Sequence, residues 1–127
     1  MTKLERVLVV DDEQDIQAIA KLSLERVGGL ETLICSSGRE AIDKVQVFAP
    51  NIILLDVMMP GLDGPATLSI LKEKGLVTNI PVVFFTAKVL DKEIEELHSC
   101  GAFDVISKPF DPMKLPSILE DIWRRSQ

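Results

Sequence analysis

Ile52-Ile53-Leu54-Leu55 is an apolar run with no polar interruption, and it stops at a carboxylate, Asp56. A strand without polar alternation has both faces buried, which is the condition of a central strand in a parallel sheet. Met58-Met59-Pro60-Gly61-Leu62-Asp63-Gly64-Pro65 follows, and its Pro-Gly and Asp-Gly-Pro steps are turn signals. Asp56 is therefore expected at the carboxyl end of a central strand, under a constrained loop. Open α/β sheets bind ligands along that edge. Taken alone, a solvated aspartate at a strand end is the simpler reading. What decides is the chemistry that other strands bring to the same edge.

The rest of the chain supplies those strands. Val7-Leu8-Val9-Val10 is a short run ending in Asp11-Asp12-Glu13, and Ile16, Ile19, Ala20, Leu24 and Val27 then predict a helix with one apolar face, closed by Gly28-Gly29. Glu31 to Cys35 is less uniformly apolar and is expected at a sheet edge. Ser37-Gly38-Arg39-Glu40 has the pattern of a capping box and opens a helix with Ala41, Ile42, Val45 and Phe48 on one side. Pro65 suits the first turn of a third helix, packed through Leu68 and Leu71 and ending near Gly75. Asp63 reads as a turn residue before Gly64. Ile80 to Phe85 reads as a buried strand terminated by Thr86. Asp91 is placed as the cap of a fourth helix, with Leu90, Ile94 and Leu97 inward and Gly101 as its stop. Phe103 to Ser107 forms a fifth strand running into Lys108-Pro109. The last helix starts at Leu115-Pro116, with Leu115, Ile118, Leu119 and Ile122 inward and Trp123 partly packed. Five strands alternating with five helices require crossover connections and a parallel sheet, an α/β doubly wound fold.

Size and charge narrow the function. The 127 residues fit one domain, 1–127, with no output domain after the fifth helix. A net charge of −6 argues against a nucleic-acid surface, and no apolar run reaches the roughly 20 residues of a membrane helix. Cys35 and Cys100 have no CxxC spacing and read as small buried thiols. With no signal-peptide pattern, a cytoplasmic location is expected. His98 and Arg124-Arg125 read as surface groups.

In a parallel sheet the strand ends of one type share an edge, so Asp11, Asp12, Asp56, Thr86 and Lys108 converge on one rim. Three crowded carboxylates repel one another, and one lysine cannot neutralise them. A lysine and a divalent cation together would. An all-oxygen donor set favours Mg²⁺. Beside such an ion a carboxylate can act as a nucleophile toward phosphorus, with Lys108 and the Thr86 hydroxyl on other phosphoryl oxygens.

The motifs Val9-Val10-Asp11-Asp12-Glu13, Asp56 to Gly64, Phe85-Thr86-Ala87 and Lys108-Pro109-Phe110, in this order and spacing, resemble a bacterial two-component response-regulator receiver domain over essentially the whole length. The resemblance implies a flavodoxin-like sheet of order 2-1-3-4-5 with five flanking helices. It implies that Asp56 accepts a phosphoryl group from a phosphohistidine on a sensor histidine kinase or histidine phosphotransfer protein, and then controls a downstream protein target or output domain. It further implies Mg²⁺ held directly by Asp12, Asp56 and the Met58 backbone carbonyl, with Asp11 acting through water. Thr86 and Lys108 would bind the phosphoryl oxygens, the Lys108-Pro109 bond would be cis, and phosphorylation-dependent homodimers are implied. Such a domain is a signalling module with weak self-phosphorylating and self-dephosphorylating chemistry, not an enzyme in its own right.

Three positions set this chain apart. Many similar domains carry an aromatic residue three positions before the lysine, where this chain has Val105, a stiff side chain with little volume to swing. The expected reporter is instead the loop from Thr86 to Lys88 with the fourth helix. Met58 has no polar group to orient an attacking water, so slow hydrolysis of the phosphoryl group is expected, while Lys88 places a cation by the rim. The competing function is a Mg²⁺-dependent phosphohydrolase with an aspartate nucleophile. The adjacent Asp11-Asp12 on the first strand and the absence of room for a substrate-selecting cap speak against it. A silent interaction platform is opposed by the retention of every phosphorylation residue.

Overall fold

The computed structural model describes residues 3–87 and 90–127. In chain order the elements are β1 (Arg6–Val10), α1 (Gln14–Leu22) continuing as a π-helical turn (Ser23–Val27), β2 (Glu31–Cys35), α2 (Gly38–Phe48), β3 (Ile52–Asp56), α3 (Gly64–Glu73), β4 (Val82–Thr86), α4 (Asp91–Ser99), β5 (Asp104–Ser107) and α5 (Leu115–Ser126). All pairings are parallel, and the strand order is β2-β1-β3-β4-β5, the expected 2-1-3-4-5.

The central strands are buried on both faces because their alternate residues feed two cores. Val7, Val9, Ile52, Leu54, Val83 and Phe85 face a layer built by α1 and α5. Leu8, Val10, Ile53, Leu55, Val82 and Phe84 face α2, α3 and α4. The uninterrupted hydrophobicity of β1, β3 and β4 is therefore a demand of the double layer. β2 lies at an edge, as its mixed composition predicts.

Local signals set most element ends. Ser37 Oγ accepts from the Glu40 N–H at 3.1 Å, but the Glu40 carboxylate reaches back to the Ser36 N–H at 2.6 Å, one residue before the cap position. Asp63 is more than a turn residue: its Oδ1 accepts from the Ala66 N–H at 2.9 Å and caps α3, with Pro65 in the first turn. Gly75 has φ +70°, a left-handed conformation that favours glycine.

Several inward assignments are corrected. In α1 the buried line is Ala20 and Leu24, while Ile19 and Val27 are 42% and 45% exposed. The π-helical turn widens the helix at Ser23 and carries Val27 off the stripe. β4 starts at Val82, not Ile80. Pro81 has no N–H for the ladder and contributes only its carbonyl, which accepts from the Ile53 N–H at 3.1 Å. Asp91 is the first residue of α4, with Leu90 in the cap position, and Leu90 is exposed, not inward. In α5, Trp123 is buried and Ile118 is on the flank, because the stripe centres on Leu115, Leu119 and Ile122. Cys35 is buried, but Cys100 is exposed.

Candidate functional site

The site is assembled from four strand ends. Past β1, the Asp11 N–H continues the ladder to the Cys35 carbonyl at 3.0 Å, so Asp11 is placed as if the strand had one more residue. Its side chain is fully buried. Oδ1 accepts from the Glu13 N–H at 2.8 Å, and Oδ2 accepts from Lys108 Nζ at 2.7 Å. Asp12 follows and is exposed. Asp56, the last residue of β3, is buried beneath the loop to α3. Gly64 permits that closure: its N–H donates to the Val57 carbonyl at 2.9 Å, and a Cβ there would lie 2.5 Å from the Asp56 carbonyl oxygen.

Lys108 arrives from β5. Its N–H donates to the Thr86 carbonyl at 2.8 Å, which extends the β4–β5 pairing by a step. Its Nζ lies 3.2 Å from Asp56 Oδ1 and 3.7 Å from Glu13 Oε1. The ammonium also sits 4.8 Å from the centroid of the Phe85 ring, which is tilted against Phe110. The Lys108-Pro109 bond is cis, as expected.

Carboxylate oxygens of Asp11, Asp12 and Asp56 lie within 4.8 Å of one another, a group able to hold a metal ion. Asp56 Oδ2 is buried and has no hydrogen-bond partner among the described residues. Burial, followed by the charge of Asp11, pushes the Asp56 carboxyl up from 3.8 to about 6, with Lys108 opposing. For Lys108, burial works against the charged form, but the hydrogen bond to Asp11 and the charges of Asp56 and Asp11 outweigh it and raise its pKa. Lys108 favours the charged form of Asp56 as well, but burial and the charge of Asp11 outweigh it there. An ionised carboxylate so placed, beside a cation and within an acidic group able to hold a metal ion, can act as an oxygen nucleophile.

The structure brings Asp11, Asp12, Asp56 and Lys108 together as the sequence predicts. Thr86 is buried at the same edge, one residue beyond Phe85, the register partner of Asp56. Met58 donates its N–H to Asp56 Oδ1 at 3.4 Å and exposes its side chain. Val105 is half-buried opposite Phe84. Lys88 lies outside the described residues. Two neighbours escaped the sequence reading: Glu13, near Lys108, and Gln17, whose Nε2 donates to the Asp11 carbonyl. Gln17 lies one helical turn beyond Glu13, but its partners are a backbone carbonyl and a residue on another loop, which that spacing does not record.

Residues 7–120 match the family described as the response regulator receiver domain. The chain is 36% identical over 124 residues to the alkaline phosphatase synthesis transcriptional regulatory protein PhoP of Bacillus subtilis, covering 96% of this chain and 50% of that protein. It is also 36% identical over 121 residues to the phosphate regulon transcriptional regulatory protein PhoB of Pseudomonas aeruginosa, covering 94% and 52%. The chain thus spans about half the length of these relatives. Among solved structures, the Vibrio cholerae chemotaxis protein CheY4 superposes with a TM-score of 0.86 at 27% identity, covering 94% of this chain and 98% of that one. The Francisella response regulator 1452 receiver domain gives 0.85 at 29% identity, covering 97% and 99%. With its sheet order, its acid edge and these likenesses in agreement, the chain belongs to the response regulator receiver domain family, the signalling modules of two-component systems.

Proposed function

We propose that Asp56 is the phosphoacceptor of this receiver domain and takes its phosphoryl group from a phosphohistidine on a sensor histidine kinase or histidine phosphotransfer protein. The observation that carries this reading is the buried Asp56 carboxylate, with one oxygen unpartnered and the other facing Lys108, itself held by Asp11. An Asp56 oxygen forms the new bond to phosphorus as the phosphorus–nitrogen bond breaks. The electron pair leaves on the imidazole nitrogen, which then takes up a proton. Lys108 moves from the carboxylates to one phosphoryl oxygen, and the Thr86 hydroxyl donates to another.

The three carboxylates fit Mg²⁺, a hard cation that takes oxygen ligands and keeps several waters. Asp12, Asp56 and the Met58 carbonyl would hold it directly, and Asp11 through water. When bound, it neutralises the crowded acids and the charge on the phosphoryl oxygens. Slow self-phosphorylation from small donors and slow self-dephosphorylation belong to the same site. A phosphorylated domain would then control an output domain or a separate protein target, and would form a homodimer. No nucleic acid is bound through the domain itself. Among the described residues no helix is long and apolar enough to cross a membrane, and the free thiols of Cys35 and Cys100 fit a reducing, cytoplasmic setting.

Phosphoramidate, a small donor with a phosphorus–nitrogen bond, tests the reading when supplied with Mg²⁺ and followed by ³¹P NMR. The expected result is a single acyl phosphate per chain. Continuous turnover of phosphate esters would instead favour a Mg²⁺-dependent phosphohydrolase.

A further inference from the structure

Every polar group of Asp11 is partnered. Its N–H bonds to Cys35, its carboxylate to Glu13 and Lys108, and its carbonyl accepts from Gln17 Nε2 at 2.6 Å. The second Nε2 hydrogen of Gln17 is aimed at Ser36 Oγ, 3.1 Å away. A backbone carbonyl can only accept, so the amide nitrogen and not its oxygen must face Asp11. Gln17 thereby ties the loop after β1 to the loop after β2. Asp12 is the opposite case. It is exposed, and among the described residues no hydrogen bond or ion pair holds its side chain. Its direction depends on its backbone. The Asp11 carbonyl and the Asp12 N–H share one rigid peptide plane, so fixing that oxygen fixes the plane that leads into the Asp12 Cα.

We infer that Gln17 is a positioning residue for the cation site: by holding the Asp11 carbonyl, it aims the Asp12 carboxylate. The inference rests on the reading of Asp12 as a Mg²⁺ ligand. A loop staple with no such role would contribute to folding alone and leave the cation affinity of the folded protein unchanged.

Isothermal titration with Mg²⁺ alone separates the two, using wild type, Gln17→Met, Ser36→Ala and Asp12→Asn. Gln17→Met keeps the length and helix preference of the side chain but removes the donor. It is expected to weaken Mg²⁺ about fivefold, the scale of one modest hydrogen bond. Ser36→Ala, which frees only the far side of the amide, is expected to weaken it about twofold. Phosphorylation from acetyl phosphate at saturating Mg²⁺ should stay near the wild-type rate in both, so the loss appears in the Mg²⁺ requirement. An unchanged Mg²⁺ affinity in Gln17→Met overturns the inference. Should that variant fail to fold, wild-type affinity in Ser36→Ala overturns it instead. Wild type that binds no Mg²⁺, or Asp12→Asn that binds it equally well, overturns the underlying reading and the inference with it.

Discussion

The acid edge and the α4 face meet at Val57 and Thr86, yet they are held in different ways. At the acid edge, Asp11 and Asp56 are buried, and Lys108 is tied to both carboxylates. α4 buries only Leu97, leaves Ile94 half-covered and begins at an exposed Leu90 with no side-chain cap. Its Glu93 carboxylate has a buried oxygen without a partner among the described residues. α5, by contrast, buries Leu115, Pro116, Leu119, Ile122 and Trp123. Phosphoryl chemistry needs fixed geometry, whereas a readout needs an element that can shift at small cost. On the proposed account a change starting at Thr86 passes into α4, with only a small rearrangement at Val105.

The sharpest way to break that contrast is at Lys108. Lys108→Met should slow phosphorylation by acetyl phosphate by about 100-fold or more, because it removes a charge aimed at the transferring group. A rate within a few-fold of wild type would mean that the acid edge does not depend on its cation.

Asp56 provides a test in pH. Its carboxyl is raised from 3.8 to about 6 in the folded protein, by burial first and Asp11 second. Between those values the folded state keeps a proton that the unfolded chain has lost. Stability on this account is therefore greatest below the lower value and falls as pH rises through the upper one. The loss is about 3 kcal/mol at most. Metal-free melts across this window should show the fall in wild type and a smaller one in Asp56→Asn. Equal slopes would contradict the raised Asp56 carboxyl.

Within α4, Leu97→Ala should cost about 2–3 kcal/mol in chemical denaturation, and Leu90→Ala less than about 0.5 kcal/mol. Equal costs would show that α4 is anchored along its length. The smallest effect is expected at Met58, exposed on the rim: Met58→Asn should shorten the phosphoryl half-life by about a few-fold by giving an attacking water a polar partner. A half-life that does not shorten would count against the slow hydrolysis expected from the apolar side chain.

What was legible in the sequence follows the same division. Strand ends are local: an apolar run that stops at Asp11, Asp56, Thr86 or Lys108 states both its burial and its chemistry, and parallel pairing alone aligns them. The helices were harder. Ile19, Ile118 and Leu90 are as apolar as their buried neighbours, and only the direction of the packed layer tells them apart. No pattern in Ser23 to Val27 announced a π-helical turn, and the burial of Trp123 depends on α5 packing against that turn. Gln17 was invisible for a related reason. Its partners, the Asp11 carbonyl and Ser36, are a backbone group and a residue on another loop, so neither residue type nor spacing records them.

The most direct test of the central claim is intact-mass spectrometry after incubation with acetyl phosphate, with and without Mg²⁺, on wild type and Asp56→Asn. The account predicts one added phosphoryl group on wild type in Mg²⁺, and none on Asp56→Asn or on metal-free protein. Modification of Asp56→Asn to the wild-type extent, or of wild type without any metal, would contradict it.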